Sequence, residues 1–204
     1  PQPAPGNPQE NMQIETVHAW GKTVAVSSDA EQLQAWGNDL VYDALQKTTT
    51  FFGDKLVVLK DGNLIEAYQL VLAGMDNKDT QQARIKGPGR IGLGNIDPQT
   101  KTHARQAHWK DWLIYGKDKQ KEQIVDVMTL TGGAMFVDAL NGQSLTGREL
   151  KLWLIEAPKK ANGSGDNGRK PQRMQATGNV VAHSADIEIE KADYLNVRFR
   201  DMPP

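Results

Sequence analysis

The segment Gly87-Pro-Gly89-Arg-Ile-Gly92 carries the glycine spacing with which a backbone turn approaches a dinucleotide pyrophosphate. That chemistry needs a buried strand before the glycines and a helix after them, whose N-terminus meets the phosphates. Leu93-Gly94-Asn95 and then Pro98 follow instead, and no Gly-Lys-Ser/Thr comes after these glycines to make a P-loop. A glycine-rich β segment with close backbone packing is the better reading. The four histidines, His18, His103, His108 and His183, lack metal-ligand spacing, and His103 and His108, five apart, fall on opposite faces of a strand. Ser164 lies in Asn162-Gly-Ser-Gly-Asp166, a spacer composition rather than a nucleophile elbow. Asp39, Asp43, Asp111, Asp138, Asp186 and Asp193 stand singly, so a sugar-cleaving carboxylate pair would have to converge from different layers. No catalytic residue, metal or cofactor is expected.

Composition narrows the field further. The 204 residues carry a formal charge of −1 and no cysteine, which removes disulfides, thiolate metal sites and cysteine nucleophiles. Without a basic field, nucleic acid is not an expected partner. No stretch has the roughly 18 apolar residues that a membrane-spanning helix needs. Residues 1–13 are rich in Pro, Gln and Asn and read as an unstructured lead-in; residues 14–201 read as one domain. Within it, 157–173 carries five cations, one acid and no large apolar side chain, and is expected to be a flexible insertion. Pro at the start and Met202-Pro-Pro204 at the end suggest excision from a longer protein, so an export signal or anchor is expected outside this sequence.

The elements that must position any site are short apolar runs rich in Val, Leu, Ile and aromatics, separated by turn residues, hence strands. Lys60-Asp61-Gly62-Asn63 and Leu140-Asn141-Gly142-Gln143 supply the positive φ of tight hairpins; Gly94-Asn95-Ile96-Asp97-Pro98 reads as a third turn, and His183-Ser184-Ala185-Asp186 as a looser one. Leu33, Trp36, Leu40 and Leu45 share a helical face, but Gly37 and Val41-Tyr42 favour a strand. The five tryptophans, Trp20, Trp36, Trp109, Trp112 and Trp153, are expected mainly in the core, with some able to line an apolar groove.

A regularity ties these runs together. Gly53, Gly133 and Gly178 are each followed fourteen residues later by a small residue, Ala67, Gly147 or Ala192, that opens the phrase small-x-x-apolar-x-apolar. Looser phrases begin at Gly37 and at Trp109. Such self-similarity marks stacked units that cannot bury an apolar face alone. The two closing apolar residues share one face of a strand, and the small residue, out of step with them, marks a bulge or bend. Each copy is a bent hairpin. The residues that would line a groove or fill a core are Leu40 and Tyr42, Leu70 and Leu72, Trp112 and Ile114, Leu150 and Leu152, Leu195 and Val197.

The run Ala35-Trp-Gly-Asn-Asp-Leu-Val-Tyr-Asp43, Thr48-Thr-Thr50, Gly53, Leu56-Val-Val58 and Ala67-Tyr-Gln-Leu-Val-Leu72 resembles the OstA-like repeat of lipopolysaccharide-transport protein A and its relatives, as does Gln175-Ala-Thr-Gly-Asn-Val-Val181 through Ala192-Asp-Tyr-Leu195. The resemblance implies a folded-over antiparallel sheet, a β-taco or open jelly roll. It also implies a periplasmic, non-enzymatic protein whose apolar interior cradles the acyl chains of lipopolysaccharide or another amphipathic lipid. Edge-to-edge association with further copies, or with related transport proteins, is implied too. The insertion at 157–173 and a six-residue expansion between Gly89 and Trp109 depart from that pattern. Two other readings of the residues remain: a β-repeat scaffold with a filled core, and a carbohydrate-binding β-solenoid.

Overall fold

The computed structural model describes residues 13–29, 32–60, 62–74, 77, 79–96, 102–120, 123–156 and 169–200. They form one antiparallel sheet of twelve strands. In chain order these are β1 (Thr16–Ser28), β2 (Leu33–Asp43), β3 (Thr48–Lys60), β4 (Asn63–Ala73), β5 (Gln82–Lys86), β6 (Gly89–Ile96), β7 (His103–Trp109), β8 (Trp112–Gln120), β9 (Gln123–Asp138), β10 (Gln143–Glu156), β11 (Arg169–His183) and β12 (Glu188–Arg198). The class is all-β, a folded-over sheet of bent hairpins. Short β-branched and aromatic runs bounded by turn residues give this result because alternating side chains can bury one face only.

Pairing explains the fold-over. The first half of β4 pairs with β6 through Leu64, Ile65 and Glu66, while its second half pairs with β5 from Gln69 to Ala73. Likewise β9 pairs with β8 through one half and β7 through the other. Thus β5 and β6 are two halves of one long strand broken at Gly87 and Pro88, and β7 and β8 are halves of another broken at Lys110 and Asp111. The breaks are stitched together, since Gly87 N–H donates to Asp111 O at 2.7 Å and Lys110 and Asp111 N–H donate to Thr131 O. Counted this way the sheet has ten long strands, β1 and β12 at its edges.

Every long strand changes direction at the same level. Register shifts fall between Trp20 and Val24, Trp36 and Asp39, Phe52 and Leu56, Gly147 and Glu149, and Thr177 and Val180. The bend line crosses the small residues of the repeat. Leu56 faces Ala67, Ala134 faces Gly147 and Val180 faces Ala192. Fourteen residues is therefore the path from the bend out to a hairpin tip and back. Large side chains fill the spaces that the small ones leave: Leu56, Trp109 and Val180 are the largest side chains with essentially no exposure. Trp109 lies so close that a Cβ added at Gly89 would sit 2.4 Å from its ring. Burying such a side chain contributes about 3 kcal/mol or more.

Several expectations are corrected. Residues 169–173 belong to β11 and are not part of a flexible insertion: Arg169, Lys170, Pro171 and Arg173 pair with Glu156, Ile155, Leu154 and Trp153. A bulge between Trp153 and Leu154 leaves Gln172 without a partner in β10, and the Arg173 guanidinium lies 4.8 Å from the Trp153 ring centroid. The rest of that insertion, and residues 1–12 of the lead-in, lie outside the described residues. Gly94 is a left-handed bulge residue (φ 74°) inside β6, which continues to Ile96, so the reversal toward β7 falls after Ile96; Asp97 and Pro98 of the expected turn lie outside the described residues. Trp20 is 71% exposed on an edge strand instead of lying in the core. The hairpin turns at Gly62 and Gly142 stand as expected, both with positive φ.

Candidate functional site

The bend divides the sheet into two arms whose inner faces meet in two apolar clusters, one around Leu56 and Phe51 and a larger one around Trp109 and Val180. On the first arm, cross-strand partners form an unbroken row: Ala19, Leu40, Phe51, Leu70 and Ile85, then Leu113, Leu130, Leu150, Ala176 and Leu195. One residue comes from each long strand. The centre of this row is buried, with Leu130 2% and Ala176 1% exposed. Two residues further from the bend runs a second row, from Tyr42 and Leu72 through Tyr115, Met128 and Leu152 to Met174 and Val197. From Leu72 onward these side chains are half-buried, and Tyr42 is exposed.

The second arm mirrors the first row but not the second. Val26, Ala35, Val58, Ile65 and Ile91 continue through Ala107, Phe136, Leu145 and Ala182 to Ile189. Two residues further out the row becomes mixed: Lys60, Asn63, Arg105, Asp138 and Gln143 are polar, and half-buried Leu33 and Leu93 stand among them. Here Arg105 Nε donates to Asp138 Oδ2 at 3.0 Å, and Asn141 Nδ2 donates to the same oxygen at 2.8 Å. Burial pushes the Asp138 carboxyl up, but these donors outweigh it and hold it below the ordinary aspartate value. Beyond the second row of the first arm sits a lysine–aspartate pair, Lys117 Nζ to Asp126 Oδ1 at 2.5 Å, with Asp126 almost wholly buried.

Of the residues singled out by the repeat, Leu40, Leu70, Leu150 and Leu195 stand in the first row and Tyr42, Leu72, Leu152 and Val197 in the second. Trp112 and Ile114 do not join them. Leu113 and Tyr115 occupy their places, and Trp112 and Ile114 point to the outer face. The cause is the break at Lys110 and Asp111. From bend to first row takes three residues in β2, β4, β10 and β12, as from Ala67 to Leu70, but four from Trp109 to Leu113. The added residue inverts the parity, and the counterpart of Leu72 is Tyr115. Sequence reasoning also missed Phe51, Ile85, Met128, Leu130, Met174 and Ala176. These lie on strands running toward the bend, where the interval differs; the alternation Met128, Leu130 was the available signal.

The outer face of the first arm carries a small apolar cluster of Val125, Val127, Trp153 and Ile155 and two cation-covered tryptophans. Arg84 lies 5.2 Å over Trp112, and Lys151 and Arg173 lie 4.9 and 4.8 Å from Trp153, whose Nε1 donates to Asp118 Oδ2 at 3.0 Å. Among the described residues no three His, Asp or Glu converge as a metal site would require. Among the described residues no helix is long and apolar enough to cross a membrane.

The architecture defines an all-β protein built as a single creased antiparallel sheet with an apolar inner face. No protein-family model matches the chain, and comparison with curated proteins finds no match.

Proposed function

We propose that the inner face is a groove for the acyl chains of an amphipathic lipid, and that the protein is a periplasmic lipid-binding module of the lipopolysaccharide-transport type. The observation that carries this reading is the second row of the first arm. Leu72, Tyr115, Met128, Leu152, Met174 and Val197 form a continuous apolar strip that the fold leaves half-exposed on a concave face. Covering such a strip with hydrocarbon stabilises the complex by about 25 cal/mol per Å². The polar margin of the facing arm, with Lys60, Asn63 and Arg105, suits a hydrophilic headgroup. The sequence resemblance to OstA-like repeats points the same way, and no enzymatic role is part of the proposal. The unpaired edges of β1 and β12, where both rows end, support edge-to-edge joining with another copy or a related transport protein.

The test is organic extraction and native mass spectrometry of protein purified from a Gram-negative host. Stoichiometric lipid, lost in Leu152→Asp while the β-sheet circular dichroism persists, is the expected result. Absence of lipid, together with unfolding of Leu152→Asp, would sink the carrier reading in favour of a scaffold with a filled core. Light scattering that stays monomeric at all concentrations would remove self-joining.

A further inference from the structure

A cleft of about 430 Å³ opens on the outer face of the first arm, on the opposite side of the sheet from the groove. Small-ligand clefts span about 300 to 1,000 Å³. Its floor is apolar, made by Ala73 of β4, Ile114 and Gly116 of β8 and Val127 of β9. Its wall is the turn before β5, which carries Asp79, Thr80 and Gln81. Thr129, Asp118 and Lys151 lie on the sheet side.

Two features mark the cleft as built. The wall is locked by its own hydrogen bonds: Asn77 N–H donates to Gly74 O at 3.1 Å, Thr80 and Gln81 N–H donate to Asn77 O, and Asp79 N–H donates to Asn77 Oδ1 at 2.9 Å. Across the cleft, Asp118 is oriented by Trp153 and Lys151 is stacked on the same ring. Fixed polar groups lose little freedom on meeting a ligand. The second feature is Gly116. Glycine weakens a strand interior, yet Gly116 has no positive φ, and a Cβ there would meet nothing nearer than Gln82 Cγ at 3.8 Å. Neither backbone nor neighbours demand glycine at this point; its effect is to keep the floor open.

The chemistry of the walls selects the ligand. An apolar molecule would leave the carboxylates, hydroxyls and ammonium of the rim without partners, at a desolvation cost for each. A phosphate would face Asp79 and Asp118, while of the two lysines of the lining Lys117 is paired with Asp126 and Lys151 lies over the Trp153 ring. A neutral ring with an apolar C–H face and a hydroxyl edge satisfies both floor and rim. We propose that this outer cleft binds a neutral saccharide unit, either free or as the carbohydrate part of a glycolipid.

The experiment is two-dimensional NMR of the full-length ¹⁵N-labelled chain titrated with methyl glucoside, N-acetylglucosamine, intact lipopolysaccharide and the oligosaccharide released from it by delipidation. At least one lipid-free saccharide is expected to shift the amides of Gly116, Val127, Thr129 and residues 79–82. Gly116→Val, which fills the floor, should abolish those shifts. Asp79→Ala, on an exposed turn clear of the core, should weaken them about tenfold and carries the test should Gly116→Val fail to fold. No shift at these amides with any lipid-free saccharide overturns the proposal, as do shifts that persist undiminished in both variants. Equal shifts from the released oligosaccharide and intact lipopolysaccharide support it for both sources; shifts from intact lipopolysaccharide alone overturn it, since they come through the acyl chains. The lipid-free sugars carry no acyl chain, so their result stands whether or not the groove binds lipid.

Discussion

The two arms start from the same design and end differently. Each lays one apolar residue per long strand beside the bend, but two residues further out the first arm is mostly apolar, with Leu72, Tyr115, Met128, Leu152, Met174 and Val197, while the second is mostly polar, with Lys60, Asn63, Arg105, Asp138 and Gln143 around Leu33 and Leu93. The difference teaches that the buried rows beside the bend hold the fold together, and that on the inner face the outer row of the first arm offers the longer half-buried apolar surface.

That division can be broken most severely at the bend, which serves both arms. Trp109→Ala should cost about 3 to 5 kcal/mol in a chemical denaturation experiment, because the cavity beside Gly87 and Gly89 cannot collapse onto glycine backbone. Next comes a paired substitution across the arms. Leu145→Asp places a charge in the buried row of the second arm and is expected to abolish cooperative unfolding, whereas Leu152→Asp in the outer row of the first should cost only about 1 kcal/mol while lowering lipid binding at least tenfold. Equal loss of stability in the two variants would erase the proposed distinction.

The polar margin of the second arm gives a smaller and pH-dependent effect. Asp138 has a lowered pKa in the folded state, so its contribution is fully present above its ordinary value of 3.8 and is lost as pH falls through the folded value. Thermal unfolding should therefore weaken below about pH 4, and Asp138→Asn should be less stable at neutral pH yet lose less on acidification. Smallest of all, Arg173→Ala removes one cation from a tryptophan on the outer face and should cost about 0.5 to 1 kcal/mol with lipid binding unchanged. A fall in lipid binding there would mean that the two faces are coupled.

Much of this was legible in the letters, and what was not has a structural cause. Asn-Gly and Asp-Gly marked hairpin tips because few other dipeptides accept the required φ. The fourteen-residue interval marked the bend because Gly133 and Gly178 take a positive φ there and Gly53 lies against the backbone of Gly37. The parity of β8 was hidden: the break at Lys110 and Asp111 adds one residue that no local preference announces, and it moved Trp112 and Ile114 to the outer face. Residues 169–173 looked like solvated loop because their partners lie in β10, from Trp153 to Glu156, with Arg173 over the Trp153 ring twenty residues away in sequence. The second arm's row escaped notice because Val58, Ile91, Ala107 and Phe136 come from strands with no common phrase. Only pairing reveals that they are neighbours.

The bend has a consequence for stoichiometry. Because all ten long strands cross it side by side, the trough between the arms runs perpendicular to the chain, and at about 4.8 Å per strand it is roughly 43 Å long. One leaflet of a bilayer's hydrocarbon core, half of its thickness of about 30 Å, is only about 15 Å deep. On the proposed lipid-binding reading, a trough of that length has room for two or three amphiphiles in file, and titration with lipid is expected to saturate above one equivalent.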